Sequence, residues 1–186
     1  MMAFKLVGLA GSFNRPSKTY ALVDEVLSEA SRAYGVASTI FDLHDVGPSL
    51  GRAQWRKDLD EEAHEVLEQI VSADALVVGS PTFKGSYPGI FKHLIDLIEP
   101  HELRGKPVII VGTGGGDRHA LMVEHQLRPL FGFFMSHVMP TAIYASDRDF
   151  SDYKVSSEAL SQRIDFAVQE LRPFIPVNER PLAAAE

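Results

Sequence analysis

Short apolar runs alternate with helical patterns along this chain, and that alternation leaves few folds open. Phe4 to Ala10, Val36 to Phe41, Ala73 to Gly79, Pro107 to Gly112 and, more weakly, Met139 to Ala145 each read as a strand. Between them, apolar residues recur at helical spacing. Tyr20, Val23, Val26, Leu27, Ala30 and Tyr34 form one such stripe, stopped by Gly35. Ala63, Val66, Leu67 and Ile70 form another within Asp60 to Ser72, and further helices are expected over Ile90 to Ile98, from His119 and over Ser156 to Leu171. Runs that are apolar at nearly every position, such as Ala75-Leu76-Val77-Val78, belong to strands covered on both faces. The pattern predicts a doubly wound α/β fold around a parallel sheet, with residues 1–172 as one domain and 173–186 as a loose C-terminal tail. Asp42 to Gln54 reads as a loop, and Trp55, the only tryptophan, is expected to be buried against a neighbouring element or subunit rather than to take part in catalysis.

In such a sheet, ligands bind outside the carboxyl ends of the strands. Three of the most distinctive stretches lie there. After the first strand, Gly11 opens a hydroxyl-rich loop, Ser12 to Thr19, that leads straight into a helix. The first N–H groups of a helix have no intrahelical partner and the helix dipole favours an anion beside them. Ser12, Asn14, Ser17 and Thr19 can donate to phosphate oxygens, with Lys18 or Arg15 supplying charge. Taken alone, the loop reads equally as an anion site or as a helix cap on Ser17 with polar neighbours. It is neither a P-loop, since Ser17 follows Pro16 where a glycine is required, nor the dinucleotide fingerprint, since Gly8 and Gly11 are spaced wrongly. A phosphate monoester suits it better.

The second loop, Ser80 to Gly89, offers Pro81, Phe83 and Tyr87 as apolar and aromatic surface, with backbone donors around Thr82 to Gly85. The third, Thr113-Gly114-Gly115-Gly116-Asp117-Arg118, lets backbone approach a ring closely because its glycines carry no side chains. That all three fall at one edge of one sheet favours the ligand reading over three unrelated turns.

These residues resemble the flavodoxin-like NAD(P)H-dependent FMN reductases over nearly all of 4–172, through GSFNRPSKT, SPTFKGSYPGIFKHLIDL and GKPVIIVGTGGGDRHAL. The resemblance implies a five-stranded parallel sheet in the order 2-1-3-4-5, FMN as cofactor or substrate, and NADPH or NADH as hydride donor. It places the FMN phosphate on Ser12, Asn14, Ser17, Lys18 and Thr19, and the flavin ring against Pro81, Thr82, Phe83, Lys84, Tyr87, Thr113, Gly114 and Gly115. Many relatives carry tyrosine where Phe83 stands, so one hydroxyl contact is missing. The run Arg118-His119 through His125 to Leu130 is most similar to the sulfonate-utilisation branch, whose members hand reduced FMN to a separate monooxygenase. On the same scaffold, a flavodoxin-type electron carrier and a quinone or azo reductase remain as alternative readings.

No side chain is required as catalytic acid or base, because the cofactor carries the chemistry; His119 and Lys84 are the two candidates that stand near the loops. A net charge of −7 argues against nucleic acid, and no apolar run approaches the ~20 residues that span a bilayer. The opening residues run straight into a strand, so no signal peptide is expected. With no cysteine and no histidine pair at metal-ligand spacing, the chain reads as a metal-free cytoplasmic protein. Finally, Pro129 deprives the carbonyl of His125 of its helical partner, which predicts a kink or π-bulge there. Leu121, Phe133, Met135 and their neighbours around it supply more apolar surface than one sheet contact needs, predicting a homo-oligomer, tetramer or dimer.

Overall fold

The computed structural model describes residues 4–176. Strands β1 (Lys5–Ala10), β2 (Ala37–Asp42), β3 (Ala75–Pro81), β4 (Pro107–Gly114), β5 (His137–Val138) and β6 (Ile143–Ser146) form one parallel sheet in the order β2-β1-β3-β4-β5, with β6 also on β4. The fifth position is thus shared by two pieces: β5 pairs with Pro107 and Val108, β6 with Val111 to Gly114. Pro140, which has no N–H for a ladder, lies between them. The sequence-derived fold and strand order are both present.

Alternate residues of each strand enter opposite cores, as the period of a strand requires. On one face Val7, Leu9, Leu76, Val78, Val108 and Ile110 pack against α3 (Glu61–Val71), α4 (Gly89–Asp96) and α5 (Arg128–Phe133). On the other, Leu6, Ala10, Ala75, Val77, Ile109 and Val111 meet α1 (Lys18–Tyr34) and α6 (Glu158–Gln169). α1 lies close on the sheet. A Cβ at Gly79 would stand 2.5 Å from Val23 Cγ2, and one at Gly8 would stand 2.6 Å from Leu27 Cδ1, so only glycine lets the helix settle this deep.

Helix ends follow local chemistry. Ser17, Asp60 and Ser157 cap α1, α3 and α6 with their side-chain oxygens, and Gly35 closes α1 in the left-handed conformation. The stretch read as a loop after β2 instead begins with a short helix, α2 (Leu43–Val46), held by a capping box between Asp42 and Asp45. Trp55 is 67% exposed on the single chain, so no neighbouring element of the same chain buries it. The anticipated irregularity is a π-helical stretch, Val123–Leu127, which ends two residues before Pro129. Past β6 comes a hairpin the sequence reading did not contain, β7 (Phe150–Ser151) and β8 (Lys154–Val155). Packed chain extends beyond residue 172, with a 3₁₀ turn at Arg172–Phe174 and a buried Ile175; residues 177–186 of the expected tail lie outside the described residues. Among the described residues no helix is long and apolar enough to cross a membrane.

Candidate functional site

The ends of β1, β3 and β4 frame a cleft of about 460 Å³, within the range of small-molecule sites. Ser12, Asn14, Ser17, Lys18 and Thr19 line one end of it, from the β1–α1 turn and the first turn of α1. Pro81, Thr82 and Phe83 reach it from the end of β3, and Thr113, Gly114 and Gly115 from the end of β4. The three loops singled out in the sequence therefore converge on one space.

At the α1 end, the Ser12 and Ser17 hydroxyls lie 2.8 Å apart, and Ser17 Oγ accepts from the Tyr20 N–H at 3.2 Å. Lys18 and Thr19 N–H, in the first turn, have no intrahelical acceptor and face the same end of the fold. This is a ready anion site, polar and preorganised. The two cations expected to serve it are already engaged. Arg15 forks onto buried Asp42 with bonds of 2.7 and 2.8 Å and reaches Asp45 at 2.6 Å. The Asp42 bond, with Asp45, raises the guanidinium's already high pKa further, so Arg15 is a fixed positive charge. At Asp45, partial burial pushes the carboxyl up, but the Asp42 N–H and Arg15 outweigh it and hold it below the usual carboxylate range. Lys18 bridges to Asp147 at 2.8 Å and stands 5.9 Å above the Phe150 ring.

The Thr82–Gly115 end is tighter. Thr82 N–H donates to the Thr113 carbonyl at 2.7 Å, joining the second loop to the third. Tyr144, on β6, donates its phenol to the Gly116 carbonyl at 2.7 Å and packs under the glycine loop. Burial raises the pKa of that phenol, against the opposing pull of the Thr82 hydroxyl, so it remains a donor at neutral pH. A Cβ at Gly114 would collide with the Tyr144 hydroxyl and approach Thr82 Oγ1 to 3.5 Å. The bare glycine here is a cradle that a side chain would fill. Thr82 Oγ1 is buried and completes no hydrogen bond of good geometry among the described residues: the Tyr144 phenol beside it is near enough to feel its pull but gives its own proton to the Gly116 carbonyl, which leaves the Thr82 hydroxyl open to a ligand.

Lys84 and Tyr87 stand outside this lining. Lys84 and Gly85, at φ 53° and 86°, form the tip of a turn closed by Phe83 and Ser86, which carries the lysine into solvent. Tyr87 turns inward against Phe91, 5.9 Å between ring centroids. His119 is exposed at the end of a 3₁₀ turn, Asp117–His119, and does not line the cleft. Conversely, Phe13, Pro16, Pro88, Asp147 and Tyr153 line it without having been singled out. Phe13 and Pro16 lay within a stretch already noticed. Asp147 and Tyr153 come from the unforeseen hairpin region and carried no sequence signal.

The chain has clear relatives. It is 42% identical over 178 residues to the "NADH-dependent FMN reductase SfnF" of Pseudomonas fluorescens, covering 96% of this chain and 95% of that one. It is also 42% identical over 171 residues to an "FMN reductase (NADPH)" of Pseudomonas aeruginosa, with 92% of each covered. Among solved structures, an oxidoreductase from Corynebacterium diphtheriae superposes with a TM-score of 0.77 at 28% identity, over 93% of this chain and 97% of that one. The NADPH-dependent FMN reductase family model matches residues 4–151, which contain all three loops and every strand of the sheet. The chain belongs to the NADPH-dependent FMN reductase family.

Proposed function

We propose that the protein oxidises NADH or NADPH, reduces FMN in the cleft between β1, β3 and β4, and releases it to a flavin-dependent monooxygenase of organosulfur utilisation. The observation that carries this reading is the pairing, in one cleft, of a hydroxyl-rich helix N-terminus with a glycine-backed end holding an unpartnered buried hydroxyl. The first suits a phosphate monoester and the second the edge of a flat heterocycle.

When bound, FMN supplies the hydride-accepting chemistry. The chain's own residues position and polarise. Ser12, Asn14, Ser17 and Thr19, with the first N–H groups of α1, hold the phosphate, and Lys18, tethered by Asp147, adds charge. Pro81 and Phe83 provide apolar walls, the latter 56% exposed at the mouth. Backbone N–H groups at Gly114 to Gly116 and the Thr82 hydroxyl stand ready to stabilise negative charge by fixed dipoles rather than by proton transfer. Neither His119 nor Lys84 lines the cleft, so no side-chain acid or base is assigned. An open mouth lets the nicotinamide in and the product out.

The chain acts in the cytoplasm as a homo-oligomer in this reading. Leu121, Phe133 and Met135 flank the π-helical stretch with 64%, 67% and 54% exposure, more apolar surface than a lone subunit leaves uncovered. The test of function is direct: purified protein is mixed with NADH or NADPH and increasing free FMN, and nucleotide oxidation is followed. Saturation in added FMN supports a reductase that treats flavin as substrate. Tightly bound flavin with no nucleotide oxidation supports an electron carrier instead and overturns the proposal.

A further inference from the structure

The anion end of the cleft holds more negative side chains than positive ones. Asp42 and Asp45 claim Arg15, and Asp147 claims Lys18, so three carboxylates face two cations where a phosphate is to bind. Asp42 and Asp45 also form the capping box of α2. Asp147 has no such second task. It stands one residue past β6, whose last residue, Ser146, pairs with Gly114 in the sheet. That register sets Asp147 beside the glycine loop, with Oδ2 4.0 Å from where a Cβ of Gly115 would stand. Its other oxygen, Oδ1, accepts from Lys18 Nζ at 2.8 Å. The turn that Asp147 opens, Asp147–Asp149, is held by Asp149 instead, whose carboxylate accepts from the Ser146 N–H at 2.8 Å and hydroxyl at 3.0 Å. Among the described residues, Lys18 is the one hydrogen-bond partner of the Asp147 carboxylate.

The charge of Lys18 is therefore matched before any ligand arrives. A phosphate at the first turn of α1 must either draw Lys18 off Asp147 or accept a like charge held beside it, and both cost binding energy. What holds it without that cost are hydroxyls and backbone N–H groups, which supply hydrogen bonds but no net charge. We propose that Asp147 is the residue that keeps the flavin exchangeable: by claiming Lys18 it weakens the grip on the phosphate, so that reduced FMN leaves the cleft instead of staying as a prosthetic group. Asp147 is exposed and free of the turn's own bonding, so its charge acts on the site and not on the fold. Differences in affinity between related complexes lie mostly in the rate of dissociation, and that is where the carboxylate acts. The inference rests on the functional reading above, which seats the FMN phosphate at the α1 end.

The test is fluorescence titration of the full chain with FMN and with riboflavin, which lacks the phosphate, for the parent, Asp147→Asn and Asp147→Glu. Asp147→Asn keeps the shape and removes the charge. It should tighten FMN by about threefold to tenfold, between the worth of an exposed ion pair and that of a hydrogen bond to a buried charge, and slow FMN dissociation in stopped flow by a similar factor. Riboflavin should stay within about twofold of the parent. Because the asparagine leaves Lys18 with an unmatched positive charge, added salt should weaken FMN more steeply in this variant than in the parent. Asp147→Glu, which restores the charge, should bind FMN within about twofold of the parent. A damaged fold would loosen the ligand, so a gain in affinity that depends on the phosphate cannot come from structural disturbance. FMN unchanged or weakened in Asp147→Asn overturns the inference and leaves the functional reading standing. So does equal tightening of FMN and riboflavin, or a glutamate that tightens FMN as much as the asparagine. No binding of FMN by the parent overturns the functional reading and this one with it.

Discussion

Thr19 and Thr113 share a buried hydrogen bond, 2.6 Å between hydroxyl oxygens, across 94 residues of chain. One sits in the first turn of α1 and the other near the end of β4, so the bond ties the anion end of the cleft to its glycine loop. A hydroxyl both donates and accepts, so Thr19 can hold Thr113 and still reach a ligand oxygen. Thr113→Val, which keeps the shape and removes the partner, should cost about 1–3 kcal/mol of stability because Thr19 is left buried and unsatisfied. Urea denaturation of the two proteins measures it.

The α1 end should bind phosphate. Changing Ser17 and Thr19 together to alanine should weaken FMN by about 1–3 kcal/mol, the scale of hydrogen bonds to a charged group. Riboflavin, which has no phosphate, should be affected far less. Fluorescence titration with both ligands makes the comparison, and equal losses would place the phosphate elsewhere.

Gly114 should tolerate no side chain while Tyr144 keeps its hydroxyl. Gly114→Ala drives a methyl into that oxygen and should destabilise by about 1–3 kcal/mol, as overpacking does. Adding Tyr144→Phe should recover part of the loss, although Cζ would still be 3.3 Å away. A denaturation cycle over the four proteins reports the coupling.

Neither His119 nor Lys84 should be essential. Replacing either by alanine should lower kcat/KM by less than about tenfold, whereas a general acid or base would be worth 10²–10⁴. A thousandfold loss in His119→Ala would contradict the assignment of catalysis to fixed dipoles.

Acid should loosen the π-helical region. The Arg128 bond, acting against partial burial, lowers the Glu124 pKa, and Arg128 also holds the Met139 carbonyl at 2.9 Å. A depressed carboxyl contributes stability that is complete above its unfolded value, about 4.3, and is lost as pH falls through the lower folded value. Glu124→Gln should therefore cost at most about 1 kcal/mol at neutral pH, the ceiling for a pair this exposed, and nothing in strong acid. Melting curves across that range test the sign.

Much of this arrangement is legible in the sequence because it is local. Ser17 caps α1 within three residues, Gly35 ends it, and Pro129 announces the π-helical stretch before it. The misses come from contacts that cross the chain. α2 is secured by Asp42, whose carboxylate also receives Arg15 from 27 residues earlier, so a stretch rich in Gly and Pro hid a helix. Arg15 and Lys18 look free in sequence, yet Asp42, Asp45 and Asp147 claim them. The β7–β8 turn uses Asp152 and Tyr153 at positive φ instead of the glycine or asparagine that marks such turns, and Tyr153 went unnoticed with it.

Gly8 and Gly79, deep in the sheet, set the height at which α1 rests. A methyl added there would not touch any ligand. It would raise the whole helix like a wedge under a beam, drawing Thr19 off Thr113 and moving the Ser17 cap away from the strand ends. Such a variant would present as an enzyme with poor flavin affinity and intact loops, its lesion lying under α1 against Val23 and Leu27 and, at Gly79, against the methyl of Thr19 as well. In this protein, the position of the binding site is decided in part by two carbon atoms that are missing from the core.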